Sequence, residues 1–223
     1  MKKILMLSVL AAVAFVGCKK KEDTVSRVVS VSYPTVTIVN SQFYSFPVGG
    51  GPLPNANTII ATAYDSFYHQ SIKPVVDASE VSDIIPGLYI ITVSAKNTDG
   101  FLGYNYVYVA ITSEPDSINV AGQYVRQDNF DTVNVTKIGA GFYRTDNVGG
   151  NRVTPGAAVN TVVPGYFVMG SDNSSLYMQT QPSPIGTFSG TGSFNLSPGD
   201  TAFQYVIKGN TNFDGTNRVF KKL

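Results

Sequence analysis

The sequence predicts an all-β protein built as two β units, an N-terminal β-sandwich followed by an antiparallel β-barrel or sandwich. Three observations lead there. Beta-branched and aromatic residues alternate with polar ones in short runs, the pattern of half-buried strands. Turn formers punctuate those runs, with 21 Gly and 12 Pro in 223 residues, at spacings that suit hairpins. No stretch beyond residue 30 sustains a helical period.

The first thirty residues are of another kind. Lys2 and Lys3 precede an apolar run, Ile4 to Val16, interrupted only by Ser8. Its length suits the hydrophobic part of an export signal and is too short to span a bilayer. Gly17 and then Cys18, the single cysteine, follow it. Phe15-Val16-Gly17-Cys18 resembles the bacterial lipobox, with Phe15 where Leu is commonest. The resemblance implies cleavage of residues 1–17 and acylation of Cys18 as lipid attachment point. Two or more acyl chains anchor stably at roughly 0.8 kcal/mol per buried methylene. Lipidation also removes a thiol that would be a liability in an oxidising compartment. Lys19, not Asp, follows the cysteine, which by the same resemblance favours the outer membrane. Glu22-Asp23 is similar to the acidic patch that sends some lipoproteins to the cell surface. Residues 18–30 read as the lipidated cysteine and a polar tether.

The first β unit is assigned to residues 31–113. "VSYPTVTIVN", "QFYSFPVGGG" and "NTIIATAYDS" each give a strand. "PGLYIITVSAKNTDGFLGYNYVYVAIT" gives a hairpin turned at Asn97-Thr98-Asp99-Gly100, with glycine where positive φ is needed. "DSFYHQS" reads as a loop. "YPTVTI", "FPVGG" and "PGLYIITVSAKNTDG" resemble bacterial surface Ig-like (cadherin-like) domains, which implies an Ig-like sandwich; many of these lack the inter-sheet disulfide.

Residues 114–117 have the composition of a joint, and the second unit is assigned to 118–223. Its strand candidates are "INVAGQYVRQ", "TVNVTKI", "GFYRTD", "VPGYFVMGS", "SLYMQTQ", "GTFSGTGSFNLS", "TAFQYVIKG" and "RVFKKL". Hairpin-sized gaps between most of them argue for a meander. "VNVTKIGAGFYRTDNVGG" is similar to the C-terminal β domain of lipoproteins that accompany Sus-type glycan-uptake systems.

Composition excludes several functions. Only 14% of residues are charged and the formal net charge of +1 falls to about −1 once Lys2 and Lys3 leave with the signal. Such a chain has no basic footprint for nucleic acid. With His69 the sole histidine, a Ser-His-Asp triad would have to form around "DSFYHQS", and a zinc site of the usual ligands has nothing to draw on. The acidic residues show no pairing of the glycosidase kind. Gly49-Gly50-Gly51 and Gly149-Gly150 do not bridge strand to helix, as a phosphate loop would. Asn210-x-Asn212-x-Asp214-Gly215 imitates half an EF-hand loop, but Lys221 stands where a bidentate Glu is required. Asp128 to Asp131 could contribute oxygens to a surface calcium site, while the joint offers only Glu114 and Asp116. No metal site and no cofactor are expected, and no enzymatic activity.

Aromatic residues carry the functional expectation. Tyr104, Tyr106 and Tyr108 fall on one face of a strand, with Val107, Val109 and Ile111 on the other. The aliphatic face is the natural core. The tyrosine ladder then either meets a sugar, on whose rings flat aromatics stack, or pairs across strands or packs on the second unit. Tyr166, Phe167 and Tyr177 form a second cluster. Tyr104, Tyr106, Tyr108, Tyr166 and Tyr177 are the candidate glycan-binding residues. Four Asp-Ser/Thr-aliphatic triplets resemble the O-glycosylation acceptor of some Gram-negative exported proteins, with Thr24, Ser117, Thr132 and Thr201 as acceptors; turn-to-strand junctions give the same letters. The expectation is a non-catalytic outer-membrane lipoprotein, anchored by lipid at the cell surface, that holds polysaccharide beside a Sus-type uptake complex. The alternative is a structural or adhesion module that binds a protein partner.

Overall fold

Most strands of the structure follow local alternation, and together the strands make two β assemblies. The computed structural model describes residues 31–150, 162–209 and 215–223; the export signal, Cys18, Thr24, the tether and positions 210–214 lie outside these. Fifteen strands are present among the described residues, and no helix. None of the described residues form a helix long and apolar enough to cross a membrane.

The first seven strands are β1 (Thr35–Ile38), β2 (Phe43–Pro47), β3 (Ala61–Asp65), β4 (Gln70–Ile72), β5 (Val75–Asp77), β6 (Gly87–Lys96) and β7 (Leu102–Thr112). They form a three-stranded sheet, β1-β3-β4, and a four-stranded sheet, β2-β7-β6-β5. Val36 and Ala63 from one sheet meet Ile91, Val93, Val107, Val109 and Ile111 from the other in a single core. β2 pairs with β7 in parallel, Phe43 opposite Tyr108. The segment predicted as a loop around His69 instead turns tightly into β4 and leads to β5. These are three-residue strands, too short to show alternation in sequence. The β6–β7 hairpin turns as expected. Gly100, at φ +90°, donates its amide to the Asn97 carbonyl, a conformation that a residue with a Cβ rarely adopts.

The remaining strands are β8 (Gly122–Arg126), β9 (Thr132–Gly139), β10 (Phe142–Thr145), β11 (Gly165–Met169), β12 (Ser175–Gln181), β13 (Phe188–Asn195), β14 (Ala202–Lys208) and β15 (Asn217–Lys222). Each pairs antiparallel with the next, and β15 returns to pair with β8, so the meander closes into an eight-stranded barrel. Of the two architectures predicted for this unit, the barrel is the one formed. Its interior is filled by side chains: Tyr124, Tyr143, Phe167, Phe188, Phe203, Tyr205 and Phe220 are almost wholly buried. Buried tyrosine hydroxyls need partners, and each finds a backbone carbonyl. Tyr124 donates to Val120 at 2.6 Å, Tyr143 to Ile118 at 3.1 Å and Tyr205 to Val148 at 2.8 Å. At one end Arg126 and Arg218 both donate to the Gly149 carbonyl, at 2.7 and 3.3 Å. Gly149-Gly150 thus belongs to a barrel cap.

Residues 32–223 form one compact unit. Glu114, within the stretch read as a joint, is buried, not solvated. Burial pushes its carboxyl above the ordinary value, and the Asp172 carboxylate adds to that; the Asn173 amide, oriented to donate, reaches both its oxygens. Asp116 pairs with Lys137 at 2.8 Å.

Candidate functional site

The four-stranded sheet has an aliphatic inner face and an aromatic outer one, as the alternation of β7 dictates. The outer face does not stay bare. Leu88, Tyr108 and Ala110 of the sheet pack against Phe142 and Val168 of the barrel wall, with Phe43, Ile138 and Tyr166 around them. The ring centroids of Tyr108 and Tyr166 are 4.2 Å apart, and those of Phe43 and Tyr166 5.3 Å. Phe43 stacks on Tyr108 at 5.9 Å. Such offset and tilted ring pairs contribute roughly 0.5–1.5 kcal/mol beyond their burial.

Backbone fit allows this approach. A Cβ on Gly139 of β9 would lie 2.5 Å from Ser45 Cβ of β2, so only glycine fits there. The Ser45 hydroxyl donates to the Ala140 carbonyl at 3.0 Å. Beneath Tyr166, the buried Gln181 side chain accepts from the Tyr166 amide and donates to its carbonyl, both at 2.8 Å. It joins β12 to β11 beyond the last β11–β12 ladder pair, Val168 with Tyr177, and so fixes the strand that carries Tyr166.

The five candidate tyrosines therefore divide. Tyr108, only 8% exposed, lies inside the sandwich–barrel contact, where a glycan has no access, and Tyr166 packs half-buried against it. The assignment of Tyr108 as a contact residue for a sugar is corrected, because the barrel wall covers that end of the ladder; Tyr166 remains partly exposed. Burial raises the pKa of both hydroxyls, with Tyr166 and Tyr106 adding to the effect on Tyr108, while Arg144 opposes it at Tyr166. Tyr106 is half-buried at the margin of the contact, its hydroxyl pushed up by burial and by Tyr104. Tyr104 is 50% exposed on the same sheet face, and Tyr177 is 48% exposed on β12, which runs beside β6. Phe167 points into the barrel and is buried.

Sequence reasoning missed Phe43, Phe142 and Val168 as members of this contact. The signal was present in "GFYRTD" and "GYFVMGS", where consecutive apolar residues leave both faces of a strand greasy, the mark of burial on two sides.

The other candidates fall at the surface. Ser117 and Thr132 are exposed and Thr201 is half-buried, each at a turn or strand end. Asp128 is held by Arg126 at 2.6 Å, which draws its carboxyl below the ordinary value and competes with any cation. Among the described residues no group of three His, Cys, Asp or Glu side chains converges on a metal position. His69 is exposed at φ +51°, with Nδ1 3.5 Å from the Tyr64 hydroxyl.

No family model matches this sequence, and no curated protein is detectably similar to it. Among solved structures, a lipoprotein of Bacteroides thetaiotaomicron is similar with a TM-score of 0.35 and 13% identity, over 85% of this chain and 100% of that one. The M60 catalytic domain with its two CBM51 domains from Clostridium perfringens ZmpB is similar with a TM-score of 0.29 and 15% identity, over 78% of this chain and 15% of that one. Likenesses at these values carry no functional argument.

Proposed function

We propose that this chain is a non-catalytic lipoprotein, anchored through Cys18 to the outer membrane and facing outward, that holds polysaccharide for a Sus-type uptake complex. The seven strands in two sheets support reading the first half as an Ig-like spacer. The observation that carries the binding step is the exposed continuation of the tyrosine ladder. Tyr104 and Tyr106 extend along the sheet from the buried contact, and Tyr177 is exposed on the neighbouring barrel strand. Flat rings fixed at one end by packing lose little freedom on stacking against a sugar.

The test is binding of the purified protein to a panel of plant, host and microbial polysaccharides by affinity gel shift, with calorimetry on any hit. Saturable binding that is lost in Tyr104→Ala and Tyr177→Ala, with unchanged thermal stability, supports the proposal. A negative panel from folded protein sinks it. One observation favours the adhesion alternative: the ladder is already used for protein packing at Tyr108. In that case the same two variants weaken capture of a protein partner and leave the glycan panel blank throughout.

A further inference from the structure

A second set of exposed aromatics lies at the opposite end of the sandwich from the barrel. Tyr33, 61% exposed, sits edge-on to Phe101 with centroids 5.5 Å apart. Phe67, 53% exposed, and Tyr68 meet edge-to-face at 4.9 Å in the β3–β4 turn. Leu102 is exposed beside Phe101 in sequence. These residues come from three separate segments, and specific bonds join those segments into one tip. The Tyr68 hydroxyl reaches both Asp99 oxygens, at 2.9 and 2.8 Å. Gln70 donates to the Thr98 hydroxyl at 3.2 Å, and Asn97 donates to the Ser32 carbonyl at 3.0 Å.

Asp65 holds the aromatic turn in place from below. Its carboxylate is fully buried, and Oδ1 accepts the amides of Phe67 and Tyr68 at 2.8 and 3.2 Å. Burial opposes ionisation of Asp65, but those two amides, with Asn97 and Ser32, outweigh it and keep the carboxyl below its ordinary value. A buried charge thus fixes a turn that displays two rings to solvent.

We propose that this tip docks into the headgroup region of the membrane that carries the lipid anchor. The proposal rests on the reading of Cys18 as acylated. Twelve residues separate Cys18 from Val31, so even fully extended the chain holds the tip within about 40–45 Å of its lipid. At such range the effective concentration of tip against membrane is on the order of millimolar, and weak interfacial affinity suffices. Tyrosine and phenylalanine with polar groups beside the rings, here Asp99, Thr98 and Gln70, suit the boundary between headgroup and acyl chain. The barrel then stands at the far end of the sandwich, away from the bilayer. Tyr104 lies one pleat repeat, about 7 Å, up the strand from Leu102, which leaves the tyrosine flank above the headgroups.

The chain contains no tryptophan, so a single introduced one reports on its own site. The full-length protein, made with its own leader, is extracted from the membrane fraction and reconstituted into phosphatidylethanolamine–phosphatidylglycerol vesicles. Variants are Phe67→Trp, Tyr33→Trp and, in the β8–β9 turn of the barrel, Phe130→Trp as the distal control. The expected result is blue-shifted emission from both tip reporters, quenched about two-fold or more by acyl-brominated lipid, with the Phe130 reporter unaffected. Intact mass and co-flotation with vesicles report the anchor separately, and Cys18→Ser abolishes both. Acylated, floating protein whose tip reporters stay water-exposed overturns the docking and leaves the anchor intact. Tip reporters shielded from water but unquenched by brominated lipid also overturn it, because another surface then covers the tip. Protein without acyl mass that does not float refutes the anchor itself, and the tip proposal with it.

Discussion

The sandwich and the barrel solve the same packing problem with different residues. Two sheets about 10 Å apart leave room for Val, Ile and Ala, and the sandwich core is made of these. An eight-stranded barrel encloses a wider column that only large side chains can fill. Among the described residues its interior accordingly holds eight buried rings: Tyr124, Tyr143, Phe167, Phe188, Phe194, Phe203, Tyr205 and Phe220. The sandwich also keeps open edges at β4 and β5, whereas barrel closure removes edges altogether. Strand count and curvature, more than any hydrophobicity scale, decide whether a β core is aliphatic or aromatic.

That contrast can be tested by emptying each core. Phe203 touches Tyr124, Phe167, Phe194, Tyr205 and Phe220. Phe203→Ala should destabilise by about 3–5 kcal/mol in urea unfolding, the largest effect expected of a single truncation. Ile91→Ala in the sandwich should cost about 2–5 kcal/mol, towards the lower end, because a thinner layer collapses more readily onto the gap. Equal losses would remove the distinction between the two cores.

The contact between the halves comes next in size. Tyr108→Ala and Tyr166→Ala should each destabilise, and the double variant should lose less than the sum, with a coupling of about 0.5–1.5 kcal/mol. Both should also separate one unfolding transition into two. A single transition surviving in the double variant would mean that other contacts couple the halves.

A smaller effect should follow pH. Glu114 holds its proton more tightly folded than unfolded, so its contribution to stability is complete below its ordinary pKa of 4.5 and is lost as pH rises through the raised folded value. Glu114→Gln keeps the proton-bearing form's shape without the charge. The stability difference, variant minus wild type, should therefore grow from pH 4 towards neutrality. A flat or falling difference contradicts the assignment. The smallest effect belongs to Tyr104, where truncation should change stability by no more than about 0.5 kcal/mol. A larger loss would make Tyr104 part of the contact and remove it from the proposed binding surface.

How legible all this was in sequence depended on where each side chain's partner lies. The eight barrel strands were readable because each carries its own alternation and its own flanking turn, as in "TVNVTKI" and "TAFQYVIKG". The hairpin at Asn97–Gly100 was readable from glycine alone. Tyr108 was not, because alternation tells which face of β7 a residue occupies and nothing about what covers that face. The parallel pairing of β2 with β7 was hidden for the same reason: it joins residues 65 positions apart, Phe43 to Tyr108, with no turn between them to signal it. The burial of Glu114 was hidden because the letters around it, Ser, Glu, Pro and Asp, are those of a solvated linker.

Barrel closure has a consequence for the order in which the molecule can be made. All seven strands of the sandwich are in hand once residue 112 has been synthesised. The barrel's first strand, β8, must wait for its second neighbour until residues 217–222 arrive. Throughout that interval β8 offers an unpaired edge, whereas the wall that covers Tyr108 is complete once residue 168 has been made. The last six-residue strand is thus the seal of the structure. Losing it to premature termination or proteolysis would leave two exposed edges and an uncapped aromatic column, a species destined for aggregation or clearance.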